Sequence, residues 1–260
     1  MLVLLSPAKN LNFDPAPAEL PATEPVLAGE TATLSKTTRR LTRAKLRQLM
    51  GISDALADLN YHRFQAFDPE GSGEGAKQAA LAFNGDVYLG LDANSLSKAD
   101  LDWAQDHLRM LSGLYGVLRP LDAIQPYRLE MGTKLKTRRG ETLYKYWGDR
   151  ISKALNEDLA EDDFVLNLAS NEYFKAVDKK TLNARVVEAV FWETKGGKSR
   201  PLFMYTKRAR GLMARYVIEN RINDVDDVKA FDVEGYTYDA AASTEDKLVF
   251  IRPQPKPKSK

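Results

Sequence analysis

The apolar positions of this chain change period several times, and each change marks a different element. Residues 2–5, Leu2-Val3-Leu4-Leu5, are an unbroken apolar run of strand length. Two helices follow by pattern, over 31–50 and 53–67 on either side of Gly51, with a short helix over 76–83. Asn84-Gly85-Asp86 reads as a turn and 87–89 as a strand fragment. Ser97 then caps a helix in which Leu101, Ala104, Leu108 and Leu111 share one face, stopped by Ser112-Gly113. Residues 133–137 alternate as a strand with a basic outer face, and Leu143, Tyr146, Trp147, Ile151, Leu155 and Leu159 mark an amphipathic helix. Residues 164–168 form a second buried-strand pattern. Residues 185–193 and 200–205 read as a hairpin closed through Lys195-Gly196-Gly197-Lys198. Thr206 caps a helix reaching Arg221, and 231–238 and 247–252 supply late strands.

Between these elements, 14–25 carries four prolines and reads as an extended surface crossing, and 68–75 is a polar, glycine-rich loop. No repeat and no linker divides the chain, so residues 1–252 are expected to be one large domain. Residues 253–260, PQPKPKSK, have no means of packing and are expected to be a disordered basic tail.

Packing does not account for the stretch 107–132, HLRMLSGLYGVLRPLDAIQPYRLEMG. Three glycines, two prolines and three arginines interrupt its apolar scaffold. Gly113-Leu114-Tyr115-Gly116 after a helix gives the outline of a helix-hairpin-helix, in which turn amides and a helix N-terminus face a phosphate without reading bases. An ordinary helical corner has the same outline, and Pro120 and Pro126 would keep a second helix short.

The stretch as a whole resembles the signature of the YaaA family of bacterial peroxide-stress proteins. Four further pieces agree with that family: Leu2-Val3-Leu4-Leu5-Ser6-Pro7-Ala8-Lys9; Asn167-Leu168-Ala169-Ser170 with Glu172-Tyr173-Phe174; residues 207–221; and Glu234-Gly235-Tyr236. The resemblance therefore covers nearly the whole chain. It implies an α+β fold, a mixed β-sheet surrounded by helices with a helix-hairpin-helix element. It also implies a cytoplasmic protein that binds double-stranded DNA and limits peroxide damage by keeping free iron low.

Composition narrows the chemistry. The chain has 260 residues, no cysteine and only two histidines, His62 and His107. That excludes disulfides, cysteine-held iron–sulfur clusters and thiol peroxidase chemistry, and it argues against a histidine-rich zinc or ferrous site. No metal and no cofactor is expected. The apolar run at the amino terminus is too short to span a bilayer and has no basic region ahead of it, so a cytoplasmic location with no membrane partner is expected. No pattern reports on oligomeric state, and a monomer is the expectation.

Net charge is only +2, but its distribution is uneven. Residues 36–47 hold Lys36, Arg39, Arg40, Arg43, Lys45 and Arg47 with no acid, a pattern that a solvated helix face also explains. In 207–221 the cations Lys207, Arg208, Arg210 and Arg215 fall on a helix whose dipole they oppose at its start, a cost that a nearby phosphate, or an internal carboxylate, would offset. The main reading is therefore a protein that binds double-stranded or distorted DNA through phosphates. Gly113, Leu114, Tyr115 and Gly116 would place backbone donors, and Lys9, Arg109, Arg119, Arg128, Lys175, Lys207, Arg208, Arg210 and Arg215 would line a positive cleft. The alternative is an enzyme acting on a nucleotide or nucleic-acid end, with Asp122, Glu130, Glu172 and Glu234 as general base or magnesium ligands. Asn167 and Ser170 join these candidates as residues at a strand end, although Ser170 has no evident histidine base and is not read as a nucleophile.

Overall fold

The computed structural model describes residues 1–15, 20–69 and 75–255. A mixed sheet of eight strands lies at its centre. In chain order these are β1 (Leu2–Leu5), β2 (Leu108–Ser112), β3 (Gly116–Leu118), β4 (Phe164–Asn167), β5 (Arg185–Lys195), β6 (Lys198–Arg200), β7 (Thr237–Tyr238) and β8 (Lys247–Pro253). Across the sheet the order is β7-β8-β5-β4-β1-β2-β3, with β6 folded back on β5. Strands β2, β1, β4, β5 and β8 run parallel, and β3, β6 and β7 are added antiparallel. The principal helices are α1 (Ala28–Thr38), α2 (Arg43–Met50), α3 (Asp54–Ala66), α4 (Asp86–Leu91), α5 (Lys98–His107), α6 (Leu143–Trp147), α7 (Arg150–Asn156), α8 (Asn171–Phe174) and α9 (Phe203–Glu219). A single apolar core runs from Met1 to Phe250, and the α+β class expected from the resemblance holds.

The central stretch differs from its expected form. The helix capped by Ser97 ends at His107, and Leu108–Ser112 is a strand paired with β1 through Val3↔Leu108 and Leu5↔Met110. Leu108 and Leu111 continued the helical spacing only because a parallel strand covered on both faces is apolar at nearly every position. The chain then reverses through Gly113, Leu114 and Tyr115 into β3, so the expected helix-hairpin-helix is a β-hairpin. Ser112 Oγ accepts the Leu114 and Tyr115 amides at 3.3 and 3.0 Å, and Trp147 Nε1 donates to the Gly113 carbonyl at 3.1 Å. Gly113, Leu114, Tyr115 and Gly116 are all buried, and a Cβ on Gly113 would overlap the Leu129 carbonyl oxygen. This turn has no face to offer a phosphate.

Smaller departures have local causes. The helix read over 31–50 is broken before Thr42, which caps α2 by accepting the Lys45 amide. Residues 87–89 belong to α4 rather than to a strand. The return strand of the hairpin stops at Arg200, and α9 starts at Phe203, ahead of Thr206. The helix over 143–159 is interrupted at Gly148, φ +53°. Pro253 closes β8 and the Gln254 amide donates to the Thr194 carbonyl at 2.9 Å, while residues 256–260 of the expected tail lie outside the described residues. The same holds for 16–19 and 70–74, within the proline-rich crossing and the glycine-rich loop.

Candidate functional site

The chain moves from β1 to β2 on one side of the sheet and then crosses to β4 on the other side of β1. Loops leaving the carboxyl ends of β1 and β4 therefore diverge, and an open parallel sheet has its crevice at such a switch point. In this protein those loops are Ser6-Pro7-Ala8-Lys9 and Leu168-Ala169-Ser170, and a cavity of about 500 Å³ opens between them, α4 and α9.

Hydrogen bonds hold the floor of this crevice. The Ser170 amide donates to Ser6 Oγ at 2.8 Å, and the Ser6 hydroxyl donates on to Ser170 Oγ at 3.2 Å. Tyr88 of α4 donates its hydroxyl to the Ser6 carbonyl at 3.0 Å. Four of the expected cations converge on the walls: Lys9, Arg128, Lys207 and Arg210. Lys9 Nζ and Arg128 Nη2 share Glu130, at 2.9 and 3.0 Å to its two oxygens. The Nε atoms of Arg128 and Arg210 are buried and have no hydrogen-bond partner among the described residues. Burial lowers the Arg210 pKa below its ordinary value, opposed by the field of Glu188. Lys207 lies 4.8 Å from the centroid of the Phe203 ring, which stands 79% exposed at the start of α9.

The other arginines of α9 serve the fold. The helix crosses α4 at Gly211 and Gly90, where a Cβ on Gly211 would overlap the Val87 carbonyl oxygen. On that face Arg208 donates to the Leu89 carbonyl at 3.2 Å, and Arg215 donates to the Leu91 and Asp92 carbonyls at 3.1 and 3.0 Å. The Leu89 and Leu91 carbonyls are among those that a helix end leaves unpaired, so the two guanidinium groups cap α4. Arg208 also pairs with Glu234 at 2.9 Å, and Arg215 with Glu219 at 2.8 Å.

The remaining candidates are spread over the molecule. Arg109 is buried against Asp158 at 2.8 Å and donates to the Gln105 and Leu108 carbonyls. Arg119 pairs with Asp122, itself buried and bound by the Thr23 hydroxyl at 2.6 Å; burial raises the Asp122 pKa. Glu172 accepts the Gly132 amide at 3.0 Å, and Lys175 lies over the Tyr144 ring. Glu234 is held by Arg208 and Arg252. Asn167 turns its side chain onto the Ala169 amide at 3.0 Å. The four candidate carboxylates thus share no single site: Glu130 and Glu172 lie at the crevice, and Asp122 and Glu234 are internal braces.

A second basic feature lies elsewhere. Helices α2 and α3 form a hairpin around Gly51-Ile52-Ser53, with Gly51 left-handed at φ +60°, Ile52 buried and Ser53 capping α3. Arg47–Asp54 at 3.0 Å, together with the Arg43–Asp58 pair, joins the two helices. Beside it, a groove of about 260 Å³ is lined by Arg40, Lys45, Lys134 and Lys136, and no carboxylate lines it. Residues 131–136 alternate between buried and exposed and turn Lys134 and Lys136 outward, but the strand expected over 133–137 is absent, with only an isolated bridge between Thr137 and Gly140. Two basic stretches some ninety residues apart in sequence thus form one surface. The available signal was Met50-Gly51-Ile52-Ser53 between two helices, the same glycine-plus-apolar turn read instead at 113–116.

Comparison with known proteins places this geometry in a family. Residues 1–242 match the family model described as peroxide stress protein YaaA. A UPF0246 protein of Maricaulis maris is 60% identical over 257 residues, covering 98% of this chain and 97% of the relative. A UPF0246 protein of Caulobacter vibrioides is 56% identical over 98% of this chain and 100% of its own length. One from Paracidovorax citrulli is 54% identical, with 97% and 98% covered.

Proposed function

Since the chain belongs to the peroxide stress protein YaaA family, we propose that it acts in the peroxide response by binding double-stranded DNA through phosphates, at the groove between α2 and residues 134–136. The observation that carries this reading is the meeting of Arg40, Lys45, Lys134 and Lys136 in a groove without a lining carboxylate, next to a two-helix hairpin. Lys136 pairs with Glu141 at 3.2 Å, and Arg40, Lys45 and Lys134 have no carboxylate at ion-pair distance among the described residues, so like charges meet here at a cost that a polyanion relieves. Contacts of this kind favour backbone shape over sequence.

In this reading the protein covers or stabilises DNA under oxidation. With no cysteine and two histidines to offer iron, any lowering of free iron is proposed to be indirect.

The test is duplex affinity across a salt series for the full chain and for the combined variant Arg40→Ala, Lys45→Ala, Lys134→Ala, Lys136→Ala. Each phosphate contact contributes about −0.9 to the slope of log K against log salt, so removing four cations should flatten the slope by up to about 3.6. Wild-type protein with no salt-dependent duplex binding, or a variant with an unchanged slope, overturns the proposal. Bubble and junction substrates in the same series rank the preferred DNA shape.

A further inference from the structure

The crevice at the carboxyl ends of β1 and β4 takes no part in that duplex reading. Its walls present a chemistry suited to a smaller ligand. Two arginine Nε atoms point into protein that offers them no acceptor, Arg128 at the floor and Arg210 on α9. Arg128 keeps Glu130 through its Nη2 at 3.0 Å, so Arg210 is the one of the two without a carboxylate at ion-pair distance among the described residues. A desolvated guanidinium without an anion is unstable relative to water, and the fork geometry of arginine matches a phosphate oxygen pair. Beside the crevice Glu130 neutralises Lys9 and Arg128, and of the two lining carboxylates Glu172 is turned onto the Gly132 amide while Asp86 stands on α4. On α9 Arg210 has no carboxylate at ion-pair distance among the described residues, and Glu188 acts on it only through its field.

At the mouth the chemistry changes. Phe203 and Met204 are 79% and 67% exposed at the first turn of α9, and neither is needed by the core. The Lys207 ammonium sits over the Phe203 ring, which leaves a flat aromatic face beside a cation. A volume of about 500 Å³ is of the size that holds a small molecule. Cations at depth and an aromatic at the rim are the two ends of one ligand type: a phosphate joined through a sugar to a planar base, which stacks on an aromatic face.

We propose that this crevice binds a single nucleoside phosphate, the phosphate on Arg210 and Arg128 and the base against Phe203. The unit has two possible sources, a free mononucleotide or the phosphorylated end of a strand. The proposal does not depend on the duplex groove, since the two sites share no lining residue.

Calorimetric titration of the full chain tests it, with AMP, inorganic phosphate, adenosine, and a short single strand carrying either a 5′-phosphate or a 5′-hydroxyl. AMP, or the 5′-phosphorylated strand, is expected to bind at least about tenfold tighter than phosphate or adenosine alone. Arg210→Gln should weaken that binding by about tenfold or more, because it removes a charged hydrogen-bond donor from a desolvated site. Phe203→Ala, a change at an exposed position that leaves the fold intact, should weaken AMP while leaving inorganic phosphate unchanged. AMP binding marks the free nucleotide as the source, and binding of the phosphorylated strand alone marks a strand end. Absence of binding by both, or binding indifferent to both Arg210→Gln and Phe203→Ala, overturns the inference. The variant lacking Arg40, Lys45, Lys134 and Lys136 should keep its AMP affinity, so loss of the duplex reading and loss of this one are separate outcomes.

Discussion

Arg208 and Arg210 stand two positions apart on one helix and meet opposite surroundings. Arg208 ends on the Leu89 carbonyl and Glu234, whereas Arg210 Nε ends on nothing among the described residues. The glycine between α9 and α4 sets which arginine faces where, because close approach at Gly211 fixes the rotation of the helix. Gly211→Ala should therefore lower stability by at least about 2 kcal/mol through backbone overlap, and a thermal melt checks it. Glu193 is the second residue on which local stability turns. It is buried, accepts the Tyr236 hydroxyl and the Leu202 amide, and lies 3.5 Å from Arg252. Glu193→Ala leaves the buried Tyr236 hydroxyl and the Leu202 amide without their acceptor, while Arg252 keeps Glu234, and denaturant unfolding should show a loss of about 2 to 3 kcal/mol.

Elements are held to one another by a few charged contacts whose pH response can be stated. Glu30 in the first turn of α1 pairs with Arg139 and with Arg150 at 3.3 Å, while Tyr146 donates to the Glu30 carbonyl at 2.6 Å. The hydrogen bond from Arg139 leads in lowering the Glu30 pKa below its ordinary 4.5, against the opposing effect of burial. A depressed folded pKa gives stability that is complete above 4.5 and lost as pH falls through the folded value. Glu30→Gln should cost about 1 kcal/mol at pH 7 and nothing at the acid end, so the two proteins' unfolding curves converge below pH 4.5. The α2–α3 hairpin depends on its cap in the same way. Ser53 accepts the Leu56 amide at 3.3 Å, and Ser53→Ala should cost about 1 kcal/mol and weaken duplex binding along with it.

At the scale of the whole molecule, one fold carries two separate cationic surfaces. The groove beside α2, of about 260 Å³, lacks lining acids, and the crevice over β1 and β4, of about 500 Å³, ends at an exposed aromatic. Duplex affinity should fall steeply with salt, whereas affinity in the crevice should change much less, because buried charges are poorly screened. Paired titrations at about 50 and 200 mM salt check the difference. Among the described residues no helix is long and apolar enough to cross a membrane.

Much of this architecture was legible in the chain itself. The apolar runs at 2–5 and 164–167, the Gly196-Gly197 turn, the start of α3 after Gly51 and the outward lysines at 134 and 136 follow from period, φ requirement and burial, which are local properties. Lys9, Arg128, Lys207 and Arg210 stood among the cations that the sequence grouped into one cleft, and the signature stretches identified the family. What the chain left open was decided at a distance. Whether 108–112 continued a helix or became a strand depended on β1 lying ready to pair with it, since a doubly covered strand and a buried helix face carry the same residues. Likewise, arginines of one helix look alike until packing supplies some of them with carbonyls and carboxylates and leaves others without. Sequence determined which side chains carry charge, and only the tertiary structure decided which charges remained unspent, because an acceptor's position is a property of the fold.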